Sequence, residues 1–368
     1  PLQKLNIESG IKAIFRDQES DFQYLSGAEG SQGYTLDPTR SDLFKYTQKI
    51  YSAYNSYTLN LKSWSFQGGL RIEQTVIDAD YLYSSSRVSQ NYFRLIPSIS
   101  ANKNFAGGNS LNFGFTQRIK RPGINRLNPF VNRSNPNFES TGNPDLKPVL
   151  VNDIQAGYTI SGKTAITIGL DYSFLRNADL AVATFDPVTQ ITRTTYQNTG
   201  RIDGLSSFIN ISRSFTKRWS ASLNGNMIYF WIAGEADGAY VQKELLCSNI
   251  NLSSGYDFEK GWRINGNLNM QSRNPTGFQG TTNGVVSTGL SVNKEIIKDK
   301  LSVSAVANNL FVKYRDAKTF TAGTTFSQTS IEQQYFSSYR MSLNYNFGGL
   351  KGKIKRNKRA IENNDQSN

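Results

Sequence analysis

The chain predicts an all-β fold: a transmembrane, antiparallel, up-and-down β-barrel, with about 14 strands, probed by three observations. Apolar and polar residues alternate with period two from end to end. The connections alternate between short and long. Aromatic residues are plentiful at 12%, although only 38% of the 368 residues are apolar. That combination is unusual for a soluble core and fits apolar residues placed one in two along many strands. No run of 18 apolar residues occurs in the sequence, which excludes helical membrane spans.

The strands follow in order. In the first, Leu5, Ile7, Ile11, Ala13 and Phe15 oppose Lys4, Asn6, Glu8, Lys12 and Arg16. The second sets Phe44, Tyr46, Ile50 and Tyr54 against Lys45, Thr47, Lys49 and Asn55. The third alternates Trp64, Phe66, Leu70 and Ile72 with Ser65, Gln67, Arg71 and Glu73. Phe93, Leu95, Ile99 and Ala101 mark the next, then Leu111, Phe113, Phe115 and Ile119. Ile154 to Ile160 leads into Ile166 to Phe174, and a weaker segment holds Leu205, Ile209, Ile211 and Phe215. The clearest pattern runs from Trp219 to Trp231. Further segments centre on Leu252, Leu268, Leu290, Val303 and Leu343. Most have roughly ten residues, the length that crosses a bilayer when tilted.

Short connections fall at Ser161-Gly162-Lys163, Thr216-Lys217-Arg218, Glu259-Lys260-Gly261 and Lys298-Asp299-Lys300. Long ones are expected from Asp17 to Asp42, Pro122 to Val149 and Asn177 to Asp203. An outer-membrane barrel keeps short turns on the periplasmic side and long loops outside. By that rule the first strand runs outward, and both ends of the segment are periplasmic. Tyr54, Trp64, Phe93, Trp219, Trp231 and Trp262 near strand ends fit aromatic girdles at the membrane interfaces.

Composition narrows the chemistry. The chain has no His, which removes Ser-His-Asp and Cys-His triads and His-ligated metals. One cysteine, Cys247, forms neither an intrachain disulfide nor a cluster. The formal charge is +13. By parity, Lys4, Lys12, Arg16, Lys45, Lys49, Arg71, Arg94, Arg118, Lys120, Arg263, Arg273 and Arg340 face the lumen. Against them stand Glu8, Glu73, Asp153, Asp171, Asp257, Glu295 and Glu332. A cationic wall favours anionic solutes, but pairing among these groups and with a plug is the commoner use of such charges. Asp17, Glu19 and Asp21 are expected in a solvated loop rather than a Ca²⁺ site, because the Gly and distal Glu of a Ca²⁺ loop are missing.

Specific runs then stand out. Phe115-Thr116-Gln117-Arg118-Ile119-Lys120-Arg121-Pro122 precedes Leu127-Asn128-Pro129-Phe130 and Ser140-Thr141-Gly142-Asn143-Pro144-Asp145-Leu146-Lys147-Pro148. Gly69 to Thr75 reads G-L-R-I-E-Q-T, and Asn308-Asn309-Leu310-Phe311 comes late. Together they resemble the outer membrane protein β-barrel family, the C-terminal barrel part of TonB-dependent-receptor-like proteins of the Bacteroidota type. The resemblance covers essentially the whole chain. It implies uptake of a bulky solute, a barrel of about 22 strands, an N-terminal plug domain and energy from the TonB complex. No plug, TonB box or signal peptide is recognisable here, so the expectation is a C-terminal portion, with 1–348 as barrel and 349–368 as a basic periplasmic tail. A self-contained passive porin-like channel with a cationic lumen is the alternative.

The expected partners are outer-membrane lipids, the plug, the TonB complex and a surface lipoprotein, with no nucleic acid. The Pro122–Pro148 region reads mainly as a rigid loop packed over the rim, since its turn chemistry alone explains its residue types. Its other reading is contact with a ligand or lipoprotein. No nucleophile–base pair or metal cluster is found, so no enzyme activity and no cofactor are expected. Selectivity in such proteins lies in loops and plug. The sequence therefore assigns no catalytic, metal, cofactor-binding or substrate-binding residues.

Overall fold

The computed structural model describes residues 4–27, 33–38, 41–81, 86–135, 137–347 and 366–367. Fourteen long strands form one antiparallel meander. They are β1 (Lys4–Phe22), β2 (Asp42–Asn60), β3 (Trp64–Tyr81), β4 (Ser86–Asn104), β5 (Ser110–Pro122), β6 (Val149–Ile160) and β7 (Thr164–Asp186). The second half comprises β8 (Ile191–Ser214), β9 (Trp219–Ala236), β10 (Ala239–Asp257), β11 (Trp262–Gln271), β12 (Val285–Ile297), β13 (Leu301–Asn308) and β14 (Ser338–Tyr345). Each pairs with its sequence neighbour, from β1–β2 to β13–β14. Among the described residues no helix is long and apolar enough to cross a membrane.

All connections at one end are short: 61–63, 105–109, 161–163, 215–218, 258–261 and 298–300. The other end carries the long ones, 23–41, 123–148, 272–284 and 309–337. The last holds a hairpin, Tyr314–Ala322 with Ser327–Tyr335, which continues onto Gly280–Thr282 and Asn274–Pro275 as a small separate sheet. The expected loop from Asn177 to Asp203 is mostly strand. β7 and β8 are 23 and 24 residues long, and continue past the roughly ten residues a bilayer needs. Asp17, Glu19 and Asp21 likewise lie on β1, not in a loop. Glu19 sits opposite Lys45, a cross-strand pair of opposite charge.

The short-turn half follows the expected alternation. Ile7, Leu70, Leu95, Ile154, Leu170, Leu246 and Leu290 are exposed on one face, between 43% and 59%. This apolar, unburied face is the lipid side of a membrane barrel. Phe93, Trp219 and Trp262 are exposed on the same face. Cations sit over aromatics near the short turns: Lys103 over Trp64, Arg213 over Phe215 and Lys294 over Trp262.

In the long-loop half the faces exchange character. Register sets Ile11 opposite Ala53, Ala13 opposite Tyr51 and Leu5 opposite Leu59. The odd residues of β2 therefore share the lipid-side face, and Phe44, Tyr46, Ile50 and Tyr54 point inward. Phe44, Tyr46 and Ile50 are at most 2% exposed, and the Tyr54 hydroxyl donates to Glu8 at 3.1 Å. This corrects the expectation for Lys45 and Lys49, which lie on the outer face. It also removes Tyr54 from the girdle. Glu332 belongs to the 314–335 hairpin and Arg273 to the 272–284 loop, so neither lies on the barrel wall.

The register pairs give β1 and β14 one partner each among the described residues, β2 and β13. Gln366 and Ser367 pair in parallel with Arg121 and Pro122. The expected tail, 349–368, otherwise lies outside the described residues.

Candidate functional site at the long-loop end

Two buried apolar clusters occupy the long-loop end. The first joins Phe44, Tyr46, Ile77, Ala79 and Tyr81 of the wall with Leu127 and Leu146 of the 123–148 loop. The second joins Ala178, Leu180, Val182, Ile232 and Ala236 with Phe278 of the 272–284 loop. Ile77, Ala79 and Tyr81 share the face of Arg71 and Glu73, the face opposite Leu70 and Ile72. Both loops thus fold inward over the mouth.

The 123–148 loop is held at many points. It includes a short helix, Ile124–Leu127, and a hairpin, Val131–Asn135 with Phe138–Thr141. The Tyr81 hydroxyl donates to the Leu127 carbonyl at 2.8 Å. Gln90 Nε2 donates to the carbonyls of Pro144 and Leu146 at 3.1 and 3.0 Å. Across the mouth, Arg126 donates to the Asp179 carboxylate at 2.7 Å and lies 5.1 Å from the Tyr196 ring centre. Asn143 Nδ2 donates to the Tyr196 carbonyl at 2.8 Å. Asn198 and the Lys147 backbone exchange two hydrogen bonds, at 2.7 and 3.1 Å. Phe138–Ser140 also pairs in parallel with β8 at Thr192–Thr194. The loop therefore ties β2–β4 to β7–β8.

The separate sequence motifs meet here. Arg121, at the end of β5, is 1% exposed. Its Nη2 donates to Glu73 Oε1 and, at 3.1 Å, to Thr75 Oγ1. Glu73 also takes Arg71 at 2.8 Å. The G-L-R-I-E-Q-T strand thus supplies the acceptors for the arginine of the R-x-x-R-P run. The other arginine of that run, Arg118, pairs with Asp153 of β6. Gly142 donates its N–H to the Asn128 carbonyl at 2.8 Å, and a Cβ there would lie 2.4 Å from that oxygen. That explains glycine at this motif position: the backbones approach too closely for a side chain. Asn143 Oδ1 accepts from the Asp145 N–H at 2.9 Å, an Asx turn. Asn309 of the late motif has φ of 52° and bridges the Thr288 N–H to the Phe336 carbonyl.

A third ionic cluster lies on the hairpin. Glu139, 6% exposed, receives Arg133 at 2.7 Å and Arg193 at 2.8 and 2.9 Å. Hydrogen bonds from Arg133 and then Arg193 hold its carboxyl below the usual carboxylate range, against the opposing effect of burial.

Reasoning from sequence missed several contributors. Asp179, Arg193 and Tyr196 fell in a segment expected to be loop. Gln279 exchanges two bonds with the Ala183 backbone, at 2.9 and 3.0 Å, in place of a strand partner. No local signal marks it. The Thr-Arg-Thr-Thr-Tyr alternation from Thr192 to Tyr196 could have marked the start of β8. Cys247 is a buried free thiol. Among the described residues no group of three or more His, Cys, Asp or Glu could hold a metal ion.

The architecture and the motif geometry agree with a comparison of family patterns, in which the outer membrane protein beta-barrel family matches residues 1–345. The chain belongs to this family. No curated protein matches it in sequence. Among solved structures, the copper transporter OprC superposes with a TM-score of 0.68 at 14% identity, over 93% of this chain and 56% of that one. The ferric yersiniabactin uptake receptor FyuA from Yersinia pestis gives 0.65 at 14% identity, over 95% and 52%. The ferric citrate transporter FecA gives 0.63 at 11% identity, over 92% and 51%. At such identities the likeness is one of fold. The family member described here spans about half the length of these structures.

Proposed function

We propose that this family member forms barrel wall of a TonB-dependent-receptor-like protein, which takes up a bulky solute across the outer membrane. The observation that carries the proposal is the mouth. Ordered loops fold inward and bury Leu127, Leu146 and Phe278 against the wall. Such a mouth presents a shaped surface to a ligand, where a passive channel needs open water. Among the described residues β1 and β14 each pair on one side only, and this supports a second point. Unpaired edges are not tolerated in lipid, so these strands join a larger closed wall of about 22 strands. A plug domain in the same full-length protein then fills the lumen and contacts the TonB complex. The short turns face the periplasm and the long loops face outside, which puts the start of β1 and the end of β14 on the periplasmic side. The inner-face ion pairs, such as Arg118–Asp153 and Arg263–Asp257, favour a structural role for most lumen charges. The protein has no catalytic role in this reading.

The test is comparative depletion of solutes from growth medium by cells with and without the full-length protein, repeated with an uncoupler of the inner membrane. The expected result is at least one solute removed only by cells that carry the protein, with removal abolished by the uncoupler. Uncoupler-insensitive removal, with steady conductance in planar bilayers, would contradict the proposal and indicate a passive pore.

A further inference from the structure

The wall divides at Pro97. β4 pairs with β5 only from Ser98–Thr116 down to Asn104–Ser110. Above that point β4 stays on β3 up to Ser86. β5 instead follows β6 as far as Lys120–Val149, and its last residues turn inward, where Arg121 meets Glu73. Pro97 has no N–H to offer a neighbour, which suits a residue at the point where pairing ends. The division leaves a notch. Loop residues 144–148 lean into it, held by Gln90, and a cavity of about 640 Å³ remains between β4 and the loop.

The charges lining this cavity are not balanced. Arg94 lies directly opposite Glu73 on β3, yet both Glu73 oxygens are taken, one by Arg71 and one by Arg121. Among the described residues Arg94 donates to the Phe93 carbonyl, at 3.1 Å, and stands 5.9 Å from the Tyr92 ring centre. Lys147 has no carboxylate within 4 Å among the described residues. Arg87, also on the lining, is turned to Asp78 and Asp80 at 3.9 and 3.5 Å. The lining contains one acid, Asp145, and the neutral polar groups of Gln90 and Asn91. Two cations without a carboxylate partner, around a cavity large enough for a small organic molecule, are suited to an oxyanion.

We propose that this notch binds a carboxylate- or phosphate-bearing molecule, with Arg94 and Lys147 as the groups that recognise the anion. The inference deepens the uptake reading by naming a solute class. Its test reads binding alone, so failure of binding and failure of uptake are separate results. The same chemistry could come from a free solute or from a lipid headgroup, because lipid-facing Phe93 and Leu95 lie beside the notch.

The experiment titrates the purified full chain in zwitterionic detergent with inorganic pyrophosphate by calorimetry. Native mass spectrometry, after exposure to phosphatidylglycerol, reads lipid retention. Wild type, R94Q/K147Q and K163Q at a distant short turn are compared, each checked for a heat-modifiable folded band. A free-anion site predicts saturable pyrophosphate binding, weakened at least tenfold in R94Q/K147Q and unchanged in K163Q. A headgroup site predicts retained phosphatidylglycerol that is lost in R94Q/K147Q alone. Binding of neither probe by the wild type, or equal binding by folded R94Q/K147Q, overturns the proposal.

Discussion

The two halves of β3 teach more than the whole barrel does. In the short-turn half, Phe66, Leu70 and Ile72 are exposed at 40–48%, and Arg71 and Glu73 face inward. In the long-loop half, Ile77, Ala79 and Tyr81 are at most 2% exposed, while Asp78 and Asp80 face outward and meet Arg87. The register on both sides of β3 is unbroken, so the backbone alternation never changes phase. What changes is the surroundings. Near the short turns the outer face meets lipid and the inner face meets polar groups. Near the mouth the outer face meets water, and the inner face is covered by loops with their own apolar residues.

The largest expected effect comes from breaking the mouth at its buried ion cluster. Arg121→Ala leaves Glu73 with Arg71 alone, in a site where Arg121 is fully covered. Removing one partner of a buried pair costs about 3–5 kcal/mol. The 123–148 loop should then become a protease target, and the heat-modifiable band should convert at a lower temperature. The lipid belt should remain intact.

A matched pair of charges sharpens the comparison next. Leu70→Arg, on the lipid side, should cost about 2–4 kcal/mol if it lies near the bilayer midplane. Thr47→Arg, on the same outer face but at the mouth, should stay within about 0.5 kcal/mol. Equilibrium unfolding in urea from bilayers measures both. Similar costs at the two positions would deny the change of surroundings.

A smaller effect is expected at Gly142. Alanine there collides with the Asn128 and Arg126 carbonyls, at 2.4 and 2.7 Å from the new Cβ. Overpacking against backbone costs about 1–3 kcal/mol. Hydrogen exchange should accelerate across 123–148 and not in β11–β13.

The smallest effect is one of pH. The Glu139 carboxyl is held below its ordinary value of 4.5 by Arg133 and Arg193. A depressed folded-state value stabilises the hairpin fully above the ordinary carboxylate range. The contribution is lost as pH falls through the depressed value. Hydrogen exchange of 131–141 should therefore be constant from neutral pH to about pH 5 once corrected for intrinsic rate, then rise at lower pH. The Glu139→Gln variant should show no such rise.

The same contrast explains what was legible in the sequence. The strands of the belt could be read because lipid imposes one rule on them: Ile7, Leu170 and Leu290 point out, and Glu8, Asp171 and Ser291 point in. That rule does not hold at the mouth, where Phe44 and Tyr46 are the buried residues and Lys45 and Lys49 lie on the outer face. The segment from Asn177 to Asp203 reads as loop in the sequence because its strands, of 23 and 24 residues, are far longer than a membrane requires. β7 and β8 continue into water, stabilised by their own pairing and by the loop beneath them. The motif residues were visible, but their meeting was not. Glu73 and Arg121 lie 48 positions apart, and only the inward turn of β5 brings them together.

A single strand, β3, changes surroundings along its length without changing register. Spin labels at single cysteines from 66 to 81, in a Cys247→Ser background in bilayers, test it most directly through collision with oxygen and with a water-soluble nickel complex. The account predicts oxygen access at 66, 70 and 72, nickel access at 78 and 80, and protection from both at 77 and 79. Oxygen access at 77 and 79, or nickel access at 70 and 72, would contradict it.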